Sequence, residues 1–317
     1  MLIYKKEEIK NKGEIYMMNN LKNEILFVVP NNDGEAVEIQ KLLKDNGWNY
    51  LVTGQQWGAS WDGLEDDIKN DINSGKYQII YGIELQGSLV NKSIQLRLGK
   101  VWDIINIDHH KYENDDRTNK LSSLEQVAKI INVELTDYQK AVSDNDKGYI
   151  DLMLENGYTW DTINEVRLQD RKAQGIKKEQ EKDAEKAIEN LIWFPELRIV
   201  KLSHSKCATV TDRLYSEKTN ILILSDDGES NFYGHGETCM KLQEKFGGWA
   251  GGQLPKNGFW GGYANQQDIA NFIISAVVPD YIYKHCAMVG KLCFSAPSGC
   301  KECRYATKEK VNKNFKL

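Results

Sequence analysis

An α/β fold in two parts, the first built on a mostly parallel sheet and the second a smaller α/β unit, is what the sequence predicts. Three observations carry that expectation. Before residue 158, apolar runs of strand length alternate with segments of helical period; polar turns holding acids close the runs; and from Leu197 the pattern changes to short runs with a hairpin signal. Right-handed crossovers then place the carboxyl ends of the parallel strands on one edge of the sheet.

Residues 1–20 form a charged leader, and 21–157 hold the first domain. Its first strand is the apolar run Glu24–Val29, ended by Pro30. The turn Asn31-Asn32-Asp33-Gly34 follows, then a helix in which Ala36, Ile39, Leu42 and Leu43 recur at helical spacing. Asp33 therefore sits at a strand's carboxyl end, beside the positive end of a helix dipole. Asn49–Thr53 reads as a short strand, and LEDDIKNDINSG as an acidic helix stopped by Gly75. Tyr77–Ile83 is a buried strand that delivers Glu84 into a turn ending at Gly87. The segment up to Lys100 reads as helical, and Val101–Ile107 is the strand that feeds Asp108. A helix capped at Ser122-Ser123 comes next, then one capped by Thr136 that carries Asp144 and Asp146.

Residues 158–195 are dense in both signs of charge at helical spacing, the pattern of a solvated linker helix, with a bend at Gly175. The second domain spans 196–280. LRIVKLS, CATVTDRLY and NILILS read as strands, and Asp226-Asp227-Gly228 as a hairpin turn. The helix ETCMKLQEKFG, the glycine-rich loop Gly247–Gly262 and the helix NQQDIANFIISAV complete it. Residues 281–317 are a Cys-rich tail.

A chain of 317 residues supports two domains, and 41% hydrophobic with 27% charged residues is the composition of a soluble globular protein. No window approaches the roughly 18 apolar residues that span a bilayer, and the N-terminus is charged where a signal peptide is apolar, so a cytoplasmic location without membrane attachment is expected. A net charge of −5 argues against coating nucleic acid by phosphate neutralisation and leaves room for a small anionic substrate. Six cysteines are too few for a disulfide scaffold.

The chemistry concentrates at Asp108-His109-His110, where two of the five histidines stand side by side after an apolar run. Asp33, Glu84, Asp108 and either Asp144 or Asp146 follow strands or helix ends, so they can converge on the same edge as a carboxylate and imidazole cage. Such a cage suits one Mn²⁺ or Mg²⁺ ion, or two. It would acidify water and neutralise phosphate oxygens, as phosphoester hydrolysis requires.

The sequence Ile107-Asp108-His109-His110, preceded by a strand ending in Glu84 and followed by Ser143-Asp144-Asn145-Asp146, resembles the DHH phosphoesterase superfamily, which includes RecJ-type exonucleases, oligoribonucleases, cyclic-dinucleotide phosphodiesterases and manganese pyrophosphatases. The resemblance covers residues 24 to 278. It implies metal ligation by His109, with Asp108 binding or orienting the ion, and a phosphate contact by His110. Glu84 takes the place of the second-motif acid, and Asp144, with Asp146 as the alternative, takes that of the fourth. The family's first motif, His-x-Asp-x-Asp-Gly, falls on Val29 to Gly34, where only Asp33 keeps an acid. Val29 cannot coordinate and Asn31 is a weaker ligand, so the resemblance implies one ion, weakened activity, or recruitment of other acids such as Asp62 or Glu65.

The second domain resembles the DHH-associated domain that grips the substrate. Arg213 and the glycines Gly251, Gly252, Gly261 and Gly262 would cradle an anion, while Trp249, Phe259 and Trp260 would stack on a base. In the tail, Cys286, Cys293, Cys300 and Cys303 could hold a structural Zn²⁺ or an iron–sulfur cluster, or stand unligated. The leading expectation is a metal-dependent phosphoesterase acting on a nucleotide, a short oligonucleotide or a cyclic nucleotide. A non-catalytic sensor of a phosphate-containing ligand is the alternative. A homodimer, and a protein partner docked on the tail, are further partner expectations.

Overall fold

The computed structural model describes residues 22–87, 103–112, 115–215 and 218–278, and the chain divides into two compact units at Gly175 and Ile176. The tail cysteines, the leader and the segment from 88 to 100 lie outside the described residues.

The first unit runs β1 (Ile25–Val29), α1 (Gly34–Asp45), β2 (Asn49–Val52), α2 (Asp66–Ile72), β3 (Ile79–Ile83), β4 (Asp103–Ile107), α3 (Ser123–Ile131), α4 (Asp137–Glu155) and α5 (Trp160–Ala173). Its sheet has the order β2-β1-β3-β4, with every neighbouring pair parallel. The central strand β1 is buried along its whole length, as a strand covered on both faces must be. On one face Leu26, Val28 and Ile80 pack with Trp61, Ile68 and Ile72. Gly82 is the close-approach position there, since a Cβ would lie 2.1 Å from the Trp61 ring. That ring is locked by Trp61 Nε1 donating to Asn106 Oδ1 at 2.7 Å.

Capping sets the helix starts. Asp33 Oδ1 accepts from Ala36 N at 2.8 Å, and Ser122 and Thr136 each make a reciprocal box with the glutamate or glutamine three residues on. Inside α4 the helical path breaks at Gly148 and Tyr149, directly after the SDND acids.

The second unit runs α6 (Lys178–Glu189), β5 (Ile192–Phe194), β6 (Leu197–Leu202), α7 (Ala208–Leu214), β7 (Asn220–Ser225), β8 (Ser230–His235), α8 (Gly236–Phe246), β9 (Trp249–Gly251), β10 (Asn257–Gly262) and α9 (Gln266–Val277). Its sheet is mixed, in the order β5-β6-β7-β8-β10-β9. The Asp226–Gly228 turn joins β7 and β8 as an antiparallel pair, as its sequence predicts.

Two expectations change. Within CATVTDRLY, residues Ala208–Leu214 form α7 and not a strand. Thr209, Val210 and Thr211 favour β structure, but Val210 and Leu214 sit one turn apart and bury against Val200, Leu202 and Ile223, so packing outweighs propensity. The charged stretch 158–195 is shared between the units. Its α5 buries Ile163 and Val166 and packs on α1 and α4 of the first, while α6 belongs to the second.

Candidate metal centre

The carboxyl ends of β1, β3 and β4 deliver Asp33, Glu84 and Asp108-His109-His110, and α4 brings Asp146. Glu84, His109, His110 and Asp146 each offer a ligand atom within 4.8 Å of the others. His109 Nε2 lies 2.5 Å from Asp146 Oδ2, 3.4 Å from Glu84 Oε1 and 3.9 Å from Glu35 Oε2. Glu84 holds φ +50°, a left-handed conformation that a non-glycine residue adopts at a cost on the order of 1–3 kcal/mol. Glu84 N donates to Ile107 O at 2.9 Å and Ser123 Oγ donates to Glu84 Oε1 at 2.8 Å, which hold the strained turn and aim its carboxylate.

Four buried carboxylate or imidazole atoms of this region have no hydrogen-bond partner: Asp33 Oδ2, Glu35 Oε2, His109 Nε2 and Asp146 Oδ2. The close pair His109 Nε2 and Asp146 Oδ2 is not in hydrogen-bond geometry either. Buried polar atoms of folded proteins are nearly always satisfied, so four orphans crowded at one strand edge need protons or a cation. Their titration agrees. Asp33 is pushed up to about 7, chiefly by burial, with the charges of Glu84 and Asp170 adding. Burial first, then neighbouring carboxylates, raise Glu35 and Asp146 well above the usual carboxylate range. For His109 burial opposes the charged form, but Glu84, Glu35 and Asp108 outweigh it and raise its pKa. Oxygen and imidazole donors with pent-up negative charge fit a divalent cation.

Asp108, expected to bind or orient the ion, is hydrogen-bonded through both carboxylate oxygens. Its Oδ1 accepts from His109 N at 2.8 Å and His110 N at 3.0 Å and faces His110 Nδ1 at 3.0 Å; its Oδ2 accepts from Tyr112 Oη at 2.9 Å and Arg117 Nη1 at 3.4 Å. Burial pushes this carboxyl up, but the bonds from His110 and Tyr112 outweigh it and hold it below the usual range. Asp108 is thus an ionised anchor that shapes the loop and orients His110. The His110 side chain is 37% exposed against 7% for His109, so His110 is the one open to solvent.

Of the two SDND acids, Asp146 joins the group and Asp144 does not. Asp144 is drawn to Lys147 at 3.1 Å and to Asn156 Nδ2 at 2.8 Å. Two residues apart on a helix, the pair point in different directions. Asp62 and Glu65, the acids expected as substitutes, are exposed, and Glu65 accepts from Gly54 N at 2.8 Å. Glu35, not expected from the sequence, lies closer to the group. It enters from the first turn of α1, its side chain 2% exposed, with Oε1 accepting from Leu124 N at 2.9 Å and Oε2 left over. The only sequence signal was an acid on the buried side of an amphipathic helix.

In the second unit, Arg213 is engaged by Glu181 at 2.7 Å, Glu185 at 3.0 Å and Thr209 O at 2.7 Å. Trp260 is fully buried, its Nε1 donating to Gly247 O at 2.9 Å, so it builds the core and offers no stacking face. The glycine-rich stretch is the hairpin β9–β10. A Cβ on Gly251 would meet the Phe259 ring at 2.7 Å and one on Gly261 the Trp249 ring at 2.4 Å, while Gly252 holds φ +95° and Gly262 underlies Trp260. Packing and turn geometry thus account for these glycines. Trp249 and Phe259 remain exposed.

No family model matches the chain, and no curated protein does. Among solved structures, RecJ from Thermus thermophilus in complex with Mn²⁺ aligns over 88% of this chain and 58% of that one, at 8% identity and a TM-score of 0.46. The DHH domain of a member of the s1p family of ribosomal proteins aligns over 86% and 92%, at 12% identity and a TM-score of 0.49. The likeness is to DHH-type proteins. An exonuclease RecJ bound to manganese aligns over 85% and 95%, at 10% identity and a TM-score of 0.43. The chain spans little more than half of the Thermus RecJ.

Proposed function

We propose that the first unit is a metal-dependent phosphoesterase, hydrolysing a phosphoester or phosphodiester in a nucleotide, short oligonucleotide or cyclic nucleotide with Mn²⁺ or Mg²⁺. The observation that carries this reading is the set of four orphaned, buried donor atoms beside a solvent-open histidine. Asp33, Glu35, Glu84, His109 and Asp146 would hold the cation. When bound it supplies a Lewis acid that acidifies water and neutralises phosphoryl oxygens.

The chain's own residues supply the rest. Asp108 fixes the His110 ring through Nδ1, leaving Nε2 to meet a phosphoryl oxygen or to pass a proton to the leaving oxygen. Arg117 donates to Leu85 O and Gly87 O, both at 2.8 Å, and ties the turn carrying Glu84 to the loop carrying Asp108. The positive end of α1, behind Asp33 and Glu35, favours negative charge at the same edge.

Release of phosphate or nucleotide from a panel of short substrates, with and without Mn²⁺, tests the reading. Turnover is expected with Mn²⁺ or Mg²⁺ and is lost on chelation and in His110→Ala. Tight binding of a phosphate-containing ligand without turnover under any divalent ion would instead establish a sensor.

A further inference from the structure

Helix α5, which the charge pattern marks as linker, contributes a buried ion pair that touches two ligand-bearing segments at once. Arg167 Nη1 donates to Asp170 Oδ2 at 2.7 Å, and both side chains are 7% exposed. Asp170 Oδ1 accepts from Gly34 N at 2.9 Å, in the residue between Asp33 and Glu35. The fit is close on that side, with a Cβ on Gly34 lying 3.2 Å from Asp170 Cα. In the other direction Arg167 Nη1 donates to Asn145 Oδ1 at 3.0 Å, the residue before Asp146. Its guanidinium also lies over the Tyr149 ring at 4.6 Å, where the helical path of α4 breaks.

We propose that Arg167 and Asp170 are positioning residues of the metal centre, a clamp that holds the Asp33–Glu35 turn and the Asp146 segment in register so that Glu35 and Asp146 meet His109. The proposal rests on the metal reading above. Its physical basis is that Asp33, Glu35 and Asp146 repel one another when ionised, so the two segments would spread unless something outside the ligand set holds them. Backbone and neighbouring-residue anchors do this without using a ligand atom. A charged pair suits the place because Asp170 keeps an acceptor on the Gly34 N–H while Arg167 compensates the negative charge Asp170 adds. Partners behind a metal's ligands typically change affinity about 10–100-fold when removed.

The test is direct Mn²⁺ binding to the full chain, measured by calorimetry beside thermal unfolding, for the wild type, Asp170→Ala, Asp170→Asn and Asn145→Ala. Asp170→Ala is expected to weaken Mn²⁺ binding about 10–100-fold. Asp170→Asn, which keeps Oδ1 for Gly34 N, should recover part of that loss. Asn145→Ala, which cuts only the arm to α4, should weaken binding by a smaller factor, and it carries the test if Asp170→Ala does not fold. Variants that melt at lower temperature but bind Mn²⁺ as the wild type does would make the pair merely structural and overturn the clamp. A wild type that binds no Mn²⁺ would overturn the metal reading itself, a distinguishable failure.

Discussion

Metal-free protein should lose stability as pH rises through the neutral range, and a divalent cation should restore it. Burial, with the Glu84 charge adding, pushes Asp33 up to about 7 from the 3.8 of an ordinary aspartate. Between those values the folded state holds a proton that the unfolded chain has released. The stabilisation is therefore complete below the lower value and falls by about 1.4 kcal/mol per pH unit up to the higher one. Over that window Asp33 alone contributes on the order of 4 kcal/mol. Glu35 and Asp146 are raised in the same sense and add to the loss. Protons and cation compete for these carboxylates, so the stabilisation by Mn²⁺ should grow with pH. Thermal unfolding from about pH 5 to about pH 8, in EDTA and in excess MnCl₂, measures both quantities. A melting temperature in EDTA that stays flat or rises with pH, or a Mn²⁺ shift that does not change with pH, would refute the convergence of buried acids.

Glu35→Gln should act with opposite signs on two measurements: it keeps Oε1 on Leu124 N while removing the cost of burying or protonating an acid there, so metal-free protein melts higher at neutral pH, and calorimetric Mn²⁺ affinity falls roughly 10-fold or more. Equal Mn²⁺ affinity would take Glu35 out of the ligand set. His110→Ala should lower turnover by about 10²–10³ while weakening Mn²⁺ binding far less than His109→Ala, because His110 is held by Asp108 and open to solvent; equal losses of affinity in the two variants would make His110 a ligand first. Gly261→Ala puts a Cβ 2.4 Å from the Trp249 ring and should cost about 1–3 kcal/mol, with a shift in tryptophan emission; an unchanged melting curve would remove the packing account of this hairpin.

Much of the first unit was legible because its signals are local. The runs at Ile25–Val29 and Ile79–Ile83, the caps at Asp33, Ser122 and Thr136, and the alternation of strand with helix need only neighbours in the chain to be read. Strand-end position likewise marked Asp33, Glu84 and the Asp108-His109-His110 triplet. Where β propensity and packing disagreed, at Thr209-Val210-Thr211, the local signal pointed to a strand and long-range burial made a helix.

The sequence by itself determined the described strands and helices of the first unit, the edge of its sheet on which Asp33, Glu84, Asp108, His109 and His110 gather, and the residue types gathered there. Which oxygens meet was decided only in three dimensions. Helical geometry turns Asp146 toward His109 and Asp144 toward Lys147, and Asp108 is saturated by bonds from residues along its own loop. Glu35, Arg167 and Asp170 enter from helices whose sequences read as ordinary amphipathic or charged surface, because burial and partner depend on what packs against a side chain, and no local pattern records that.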